Sequence, residues 1–386
     1  MGSPPLKAFR LQAAGQRFRY NSFFLLPSDL ITMDTKRKAV ALISGGLDSM
    51  LAAKVVMEQG VHVEGINFFT GFCVEGHTHA IRKRHPERPK RNNALWVAEQ
   101  LGIKLHIVDV IEEYKDVLLN PKHGYGANLN PCLDCKGFMV RKAHEWMEAH
   151  GFDFIITGEV IGQRPMSQRR DTMPVIARES GAGDRLLRPL CAKLLPPTLP
   201  EREGWVDREQ LYDFSGRSRK PQMALAARFG FRDYAQPAGG CCFLTNESYS
   251  VKLADLWRSR GTRDYSLDDI MLLKVGRHLR PRPHFKLIVA REEGETRYLE
   301  GYRRQFTNLK TVSHSGPLAL VDGVVSEDDL HLAARLVARF SQGRMADQVR
   351  IAVTTPDGTA RTLEVQPLPP DEVQAEWYID HEPLHA

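Results

Sequence analysis

Ala39-Val40-Ala41-Leu42-Ile43-Ser44-Gly45-Gly46-Leu47-Asp48-Ser49-Met50-Leu51 is the stretch on which the reading of this chain turns. Its apolar run, residues 39–43, has the pattern of a short strand buried on both faces. Helical spacing follows over residues 50–59, with Leu51, Val55 and Met57 set among Ala, Lys and Glu, and Gly60 ends it. Between strand and helix, adjacent glycines let the backbone turn tightly and bring bare N–H groups against an anion. The helix aims its N-terminus at the same place and adds partial positive charge. Ser44 and Ser49 can donate hydroxyls. No Lys follows the glycines, so this is neither the G-x-x-x-x-G-K-[ST] loop nor G-x-G-x-x-G.

Outward from this stretch, strand and helix patterns alternate. Residues 61–69, 103–108 and 154–157 read as strands; 92–101 and 136–150 read as helices ended by Gly102 and Gly151. This rhythm predicts an α/β domain: a parallel sheet with helices on both faces and a ligand site at the C-terminal ends of the strands. After about residue 190 the rhythm breaks at Pro196-Pro197 and Pro200. A basic helix is expected over 216–230, then the loop Pro237-Ala238-Gly239-Gly240-Cys241-Cys242. From Gly316 the pattern is a small α+β unit: strand 318–321, helix 327–340, and a hairpin of 348–353 with 360–365. The expected organisation is an extension over 1–35 with Met33 as the working start, a nucleotide domain over 36–195, and a basic connection over 196–310 that completes the active site. A small domain over 316–370 and a tail over 371–386 follow.

The 386 residues are 42% hydrophobic and 26% charged, a globular composition that excludes collagen-like, coiled-coil and wholly disordered chains. The longest apolar runs, 39–43 and 287–290, fall far short of the roughly 20 residues a membrane helix needs. The net charge of +6 permits a nucleic-acid partner. Basic clusters lie at 82–91, at Arg169-Arg170, at Arg217-Ser218-Arg219-Lys220 and at 277–282; together they could follow an RNA backbone.

Six cysteines, at 73, 132, 135, 191, 241 and 242, are too few for a disulfide scaffold. They point to metal, cluster or thiol chemistry in a reducing compartment, so a cytoplasmic enzyme is expected. Cys132-Leu133-Asp134-Cys135 is open to three readings: a redox pair, half a zinc site, or part of a cluster site. No second C-x-x-C exists, and the remaining partner is Cys241 behind Gly239-Gly240, with Cys242 adjoining it. Cys73 and Cys191 stand alone and read as structural.

The string S-G-G-x-D-S resembles the pyrophosphate loop (PP-loop) of the ATP pyrophosphatases, which adenylate a substrate and release pyrophosphate. This resemblance implies ATP and Mg2+ as cofactors. It puts Ser44, Gly45, Gly46, Leu47, Asp48, Ser49, Phe68, Gly158 and Gln163 at the nucleotide, with Asp48 organising magnesium and pyrophosphate. Asn130-Pro131-Cys132-x-x-Cys135 with the later Gly-Gly-Cys241 resembles the tRNA thiouridine synthetases of the ThiI and MnmA types, and above all short, cluster-containing ThiI-like proteins. The similarity runs from about residue 36 to about 288 and includes Thr157-Gly158-Glu159, Gln163-Arg164-Pro165-Met166-Ser167-Gln168, Leu187-Arg188-Pro189-Leu190 and Gly216-Arg217-Ser218-Arg219-Lys220. Two departures stand out. No THUMP domain fits in the first 32 residues, and no rhodanese cysteine follows Cys242.

What the resemblance implies is an ATP-dependent tRNA sulfurtransferase. A uridine carbonyl is adenylated and its oxygen replaced by sulfur, with tRNA and a sulfur donor (sulfide or a cysteine desulfurase) as partners and a homodimer left open. Two forms follow from it. Either Cys132, Cys135 and Cys241 hold a [4Fe–4S] cluster, or Cys241 carries a persulfide that Cys135 resolves, in a cluster-free 2-thiouridylase. Rival readings are an amide-forming synthetase on the same scaffold and a non-catalytic RNA-binding protein.

Overall fold

The computed structural model describes residues 36–74, 92–234 and 242–380. Its first sheet is parallel throughout, in the order β3-β2-β1-β4-β5. The strands are β1 (Lys38–Leu42), β2 (His62–Phe69), β3 (Leu105–Asp109), β4 (Phe154–Ile156) and β5 (Leu186–Leu187). Ala39, Val40 and Ala41 are at most 1% exposed, as a central strand covered on both faces requires. The connecting helices are α1 (Leu47–Met57), α2 (Asn93–Leu101), α3 (Ile111–Leu119) and α4 (Cys132–Ala149), followed by α5 (Thr172–Glu179). Helix α1 is buried nearly all round, between the sheet and a later helix, α7 (Lys220–Arg228), that follows the short α6 (Leu199–Arg202).

Strand order reverses between β1 and its two neighbours, β2 and β4. In an open parallel sheet that is where a crevice forms beyond the strand ends. The chain leaving β1 enters the Ser44–Ser49 loop, and the chain leaving β4 enters Thr157-Gly158-Glu159, so the two segments meet at the crevice.

The second sheet is antiparallel and six-stranded, in the order β11-β10-β8-β9-β7-β6. Its strands are β6 (Arg277–Arg282), β7 (Phe285–Val289), β8 (Thr307–Thr311), β9 (Leu318–Gly323), β10 (Val349–Thr354) and β11 (Ala360–Val365). The helices of this half, in chain order after α8 (Glu247–Arg260) and α9 (Leu267–Leu272), are α10 (Glu293–Glu300) and α11 (Glu327–Arg339). α11 buries Leu330, Ala333, Ala334, Leu336 and Val337 against Leu287, Leu309, Val321 and Ile351. The expected helix and hairpin are therefore present. The boundary at Gly316 differs: the sheet already begins at Arg277, and residue 316 falls between β8 and β9. The reason is the sequence of β6, Arg277-His278-Leu279-Arg280-Pro281-Arg282, which looks basic and irregular but buries His278 and Leu279.

α8 joins the two halves. Its Asp255 accepts two hydrogen bonds from Arg280 of β6, at 2.8 and 2.7 Å. Helices α3 and α8 were not expected from the sequence pattern. No helix among the described residues is long and apolar enough to cross a membrane. The expected extension over 1–35, the basic cluster within 82–91, Cys241 and the last residues of the expected tail lie outside the described residues.

Candidate active site

The loop between β1 and α1 is built by its own hydroxyls. Ser49 Oγ donates to the Gly46 carbonyl at 2.8 Å and accepts from the Ser44 N–H at 3.3 Å. Gly45 has φ +80°, where an L side chain is strained, and Gly46 caps α1 in extended geometry. The first N–H groups of α1 face the loop with no side-chain cap, leaving donors for an anion.

Asp48 stands in the first turn of α1. Its Oδ2 accepts a hydrogen bond of 2.7 Å from Gln163 Nε2, while Oδ1 is buried without a partner. Burial pushes this carboxyl above its ordinary range, opposed by the Gln163 hydrogen bond and the charges of Arg219 and Arg164. A buried, half-satisfied carboxylate beside an anion loop is the donor that Mg2+ requires, since this hard cation takes oxygen ligands and bridges carboxylate to phosphate. The residues present thus fit Mg2+ with a nucleotide.

Gly158 follows β4 and lies against the loop's backbone. A Cβ there would sit 2.5 Å from Asp48 C and from Ser49 N. Only glycine permits that approach. Beside it Glu159 is buried; burial pushes its carboxyl up, but Lys136, Arg188 and the hydrogen bonds of Thr157 and Arg188 together hold it below its ordinary value. Phe68 is a core residue, packed with Phe72, Tyr114 and Phe138.

The cysteines lie along a connected path. The segment that supplies Gln163 to Asp48 also supplies Ser167, whose Oγ is 3.6 Å from Cys132 Sγ at the start of α4. Just before α4, buried Asn130 has its Oδ1 3.6 Å from Cys242 Sγ. Cys242 pairs in turn with Cys73 through an isolated antiparallel bridge, with the Phe243 N–H donating to the Phe72 carbonyl at 2.9 Å. Cys135, Cys242 and Cys73 all act on Tyr114, whose hydroxyl burial pushes far above its ordinary value, and Cys135 hydrogen-bonds to it. Lys274 lies over the Phe243 ring at 4.8 Å; burial pulls its ammonium down to about 8, against the thiols of Cys73 and Cys242.

Cys73, set apart by sequence spacing, is therefore next to Cys242. Cys191 is fully buried with its Sγ 3.2 Å from the Glu159 carbonyl, and burial pushes it up to about 12. Among the described residues, no three His, Cys, Asp or Glu side chains are grouped to hold a metal ion. Of the three expected cluster ligands, Cys132 and Cys135 lie within the described residues and Cys241 lies outside them.

Residues that spacing did not single out are Gln222, Tyr114, Lys274 and Ser167 as part of the thiol path. Gln222 is fully buried and donates to Gln163 Oε1 at 3.2 Å, behind the bond to Asp48. A lone Gln in a basic helix gives no signal in sequence. Tyr114 does: Ile111, Tyr114 and Leu118 have helical spacing.

On the second sheet, a cavity of about 1120 Å3 is lined by Arg277, Arg339 and Arg344, opposed by Glu292, Glu293 and Asp380. Arg277 stacks on Phe340 at 5.2 Å. Among the described residues no ion pair engages Arg277, Arg339 or Arg344.

A Gly-Gly loop between the first strand and first helix of a parallel sheet, with an acidic first turn, defines a PP-loop nucleotide domain. Residues 34–193 match the family model of the thiamine biosynthesis protein (ThiI), and residues 276–378 that of the NFACT protein RNA binding domain. The PP-loop domain of this chain is thus similar, over residues 34–193, to the ThiI family of PP-loop tRNA thiouridine synthetases. The chain is 30% identical over 139 residues to the tRNA-specific 2-thiouridylase MnmA of Petrotoga mobilis, covering 33% of this chain and 36% of that one. It is 27% identical over 150 residues to a protein named probable tRNA sulfurtransferase of Thermococcus kodakarensis, covering 39% and 36%. Each match thus spans about a third of the curated relative's length. A solved 4-thiouridine synthetase–RNA complex with bound ATP is 25% identical over 40% of this chain and 36% of that one, with a TM-score of 0.30.

Gly158→Ala should drive a methyl group into the Asp48 backbone. Overpacking of this kind costs about 1–3 kcal/mol, here paid by the loop. The expected outcome is loss of Mg·ATP binding in calorimetry with the second sheet still folded by circular dichroism; unchanged binding would mean the loop tolerates displacement.

Proposed function

We propose that this chain is an ATP-dependent tRNA sulfurtransferase. The observation that supports the reading best is the segment 163–167, which reaches Asp48 through Gln163 and Cys132 through Ser167. Nucleotide and thiol chemistry thus share one strap of chain. The loop N–H groups and the α1 N-terminus bind the phosphates. Asp48 holds Mg2+, which when bound neutralises charge on the leaving pyrophosphate. Transfer of AMP to a uridine carbonyl oxygen turns that oxygen into a leaving group. A sulfur nucleophile then attacks the activated carbon and AMP departs. The target base must leave its stack to reach the crevice.

For the sulfur, Cys132, Cys135 and Cys241 are the ligands of a [4Fe–4S] cluster in one form. In the other, Cys241 carries a persulfide and Cys135 resolves it. The first is preferred because a persulfide pair uses only two thiols. One set of variants tests the reading and separates its halves. Asp48→Ala should block pyrophosphate release in the presence of tRNA while keeping iron after anaerobic reconstitution. Cys132→Ala and Cys135→Ala should lose iron and thiolation together. The wild-type chain should take up about one oxygen-sensitive cluster. Normal pyrophosphate release by Asp48→Ala would remove it from the mechanism, and full thiolation by an iron-free preparation would leave the persulfide form.

tRNA is held, in this reading, by the basic cavity of the second sheet. Arg339→Glu with Arg344→Glu should weaken tRNA binding in filter assays and reduce the log–log salt slope by roughly 0.7–0.9 per lost phosphate contact. An unchanged affinity and slope would exclude the cavity as the RNA site.

A further inference from the structure

Arg219 stands at the start of α7, beyond the ThiI-family match, and the sequence groups it with the exposed Arg217 and Lys220. Its surroundings differ from theirs. Arg219 Nε is buried and has no hydrogen-bond partner. The segment carrying it is pinned to the nucleotide crevice: Ser215 bridges Ile161 in parallel register, and the Gly216 N–H donates to the Ile161 carbonyl at 2.7 Å. One turn into α7, fully buried Gln222 donates to Gln163 at 3.2 Å, and Gln163 donates to Asp48 at 2.7 Å. Arg219 is close enough for its charge to act on Asp48, yet among the described residues it forms no ion pair with that carboxylate.

A buried guanidinium donor without a partner is costly unless an acceptor reaches it. The uncapped α1 N-terminus beside the Ser44–Ser49 loop, together with the Arg219 charge acting on Asp48, makes an anion the acceptor this place favours. We propose that Arg219 binds phosphate oxygens of ATP, on the side of the crevice opposite the Ser44–Ser49 loop, and keeps hold of them as pyrophosphate departs. A planar fork of donors suits phosphate better than a point charge does. Gln222 acts as a positioning residue through Gln163. The inference rests on the nucleotide reading above and assigns the second half of the phosphate site to chain outside the family-matched domain.

The test is calorimetric binding of inorganic pyrophosphate and of Mg·ATP to the full chain, with tRNA binding measured on the same preparations. Arg219→Ala should weaken both phosphate ligands about 10–100-fold, the range for losing hydrogen bonds to a charged group. Arg219→Lys should recover part of that loss, and Arg217→Ala should stay within about twofold of wild type. tRNA affinity should not change in Arg219→Ala. Wild-type phosphate affinity in Arg219→Ala would overturn the proposal. So would a loss confined to tRNA, which would make Arg219 an RNA contact. A loss joined to a lower melting temperature of the nucleotide-free chain, with no recovery in Arg219→Lys, would assign a structural role and overturn it too. A wild-type chain that binds neither ligand would instead defeat the nucleotide reading itself.

Discussion

The close approach of Gly158 to the Asp48–Ser49 backbone sets the terms for the rest of the site. With a Cβ excluded at 2.5 Å, the exits of β1 and β4 press together. That contact closes the back of the crevice and fixes the first turn of α1. It also brings Gln163 within reach of the Asp48 carboxylate at 2.7 Å. From Gln163 the constraint spreads in two directions: inward to Gln222 and α7, and along the chain to Ser167 and the cysteines.

The electrostatics follow from this packing. Asp48 has one oxygen satisfied and one buried and bare. Such a carboxylate is poorly stabilised until a cation reaches it, and this is the physical basis on which the proposed function places Mg2+ there. The thiols experience the opposite environment. Lys274 offers positive charge beside Cys73 and Cys242, while buried Tyr114 touches Cys135. The anion-binding loop and the cysteines therefore sit in chemically distinct surroundings, linked by the segment 163–167.

Much of this was legible in sequence where the signal is local. The unbroken apolar run of β1, the glycine pair and the alternation up to β4 make the parallel sheet readable, because the central strands β1 and β4 bury both faces. The second sheet was only half legible. β6 hides His278 and Leu279 within a row of arginines, so hydropathy shows the sheet's pattern only from Gly316 onward and not from the strand start at Arg277. Gly45, Gly46 and Asp48 were found by their motif. The nearness of Gln222 and Arg219 to Gln163 and Asp48 is not readable in sequence, because it depends on a bridge between residues 161 and 215, a pairing that leaves no pattern in the chain. Cys73 and Cys242 are likewise joined only by the fold.

The central claim is that one crevice couples cleavage of ATP to sulfur insertion into tRNA. A single-turnover reaction with the full chain, Mg·ATP, unmodified tRNA and sulfide measures it directly, with AMP and thiolated nucleosides quantified together by mass spectrometry. The account predicts thiouridine formed one for one with AMP, and none without ATP. AMP released with no thiolated nucleoside under anaerobic conditions would contradict it.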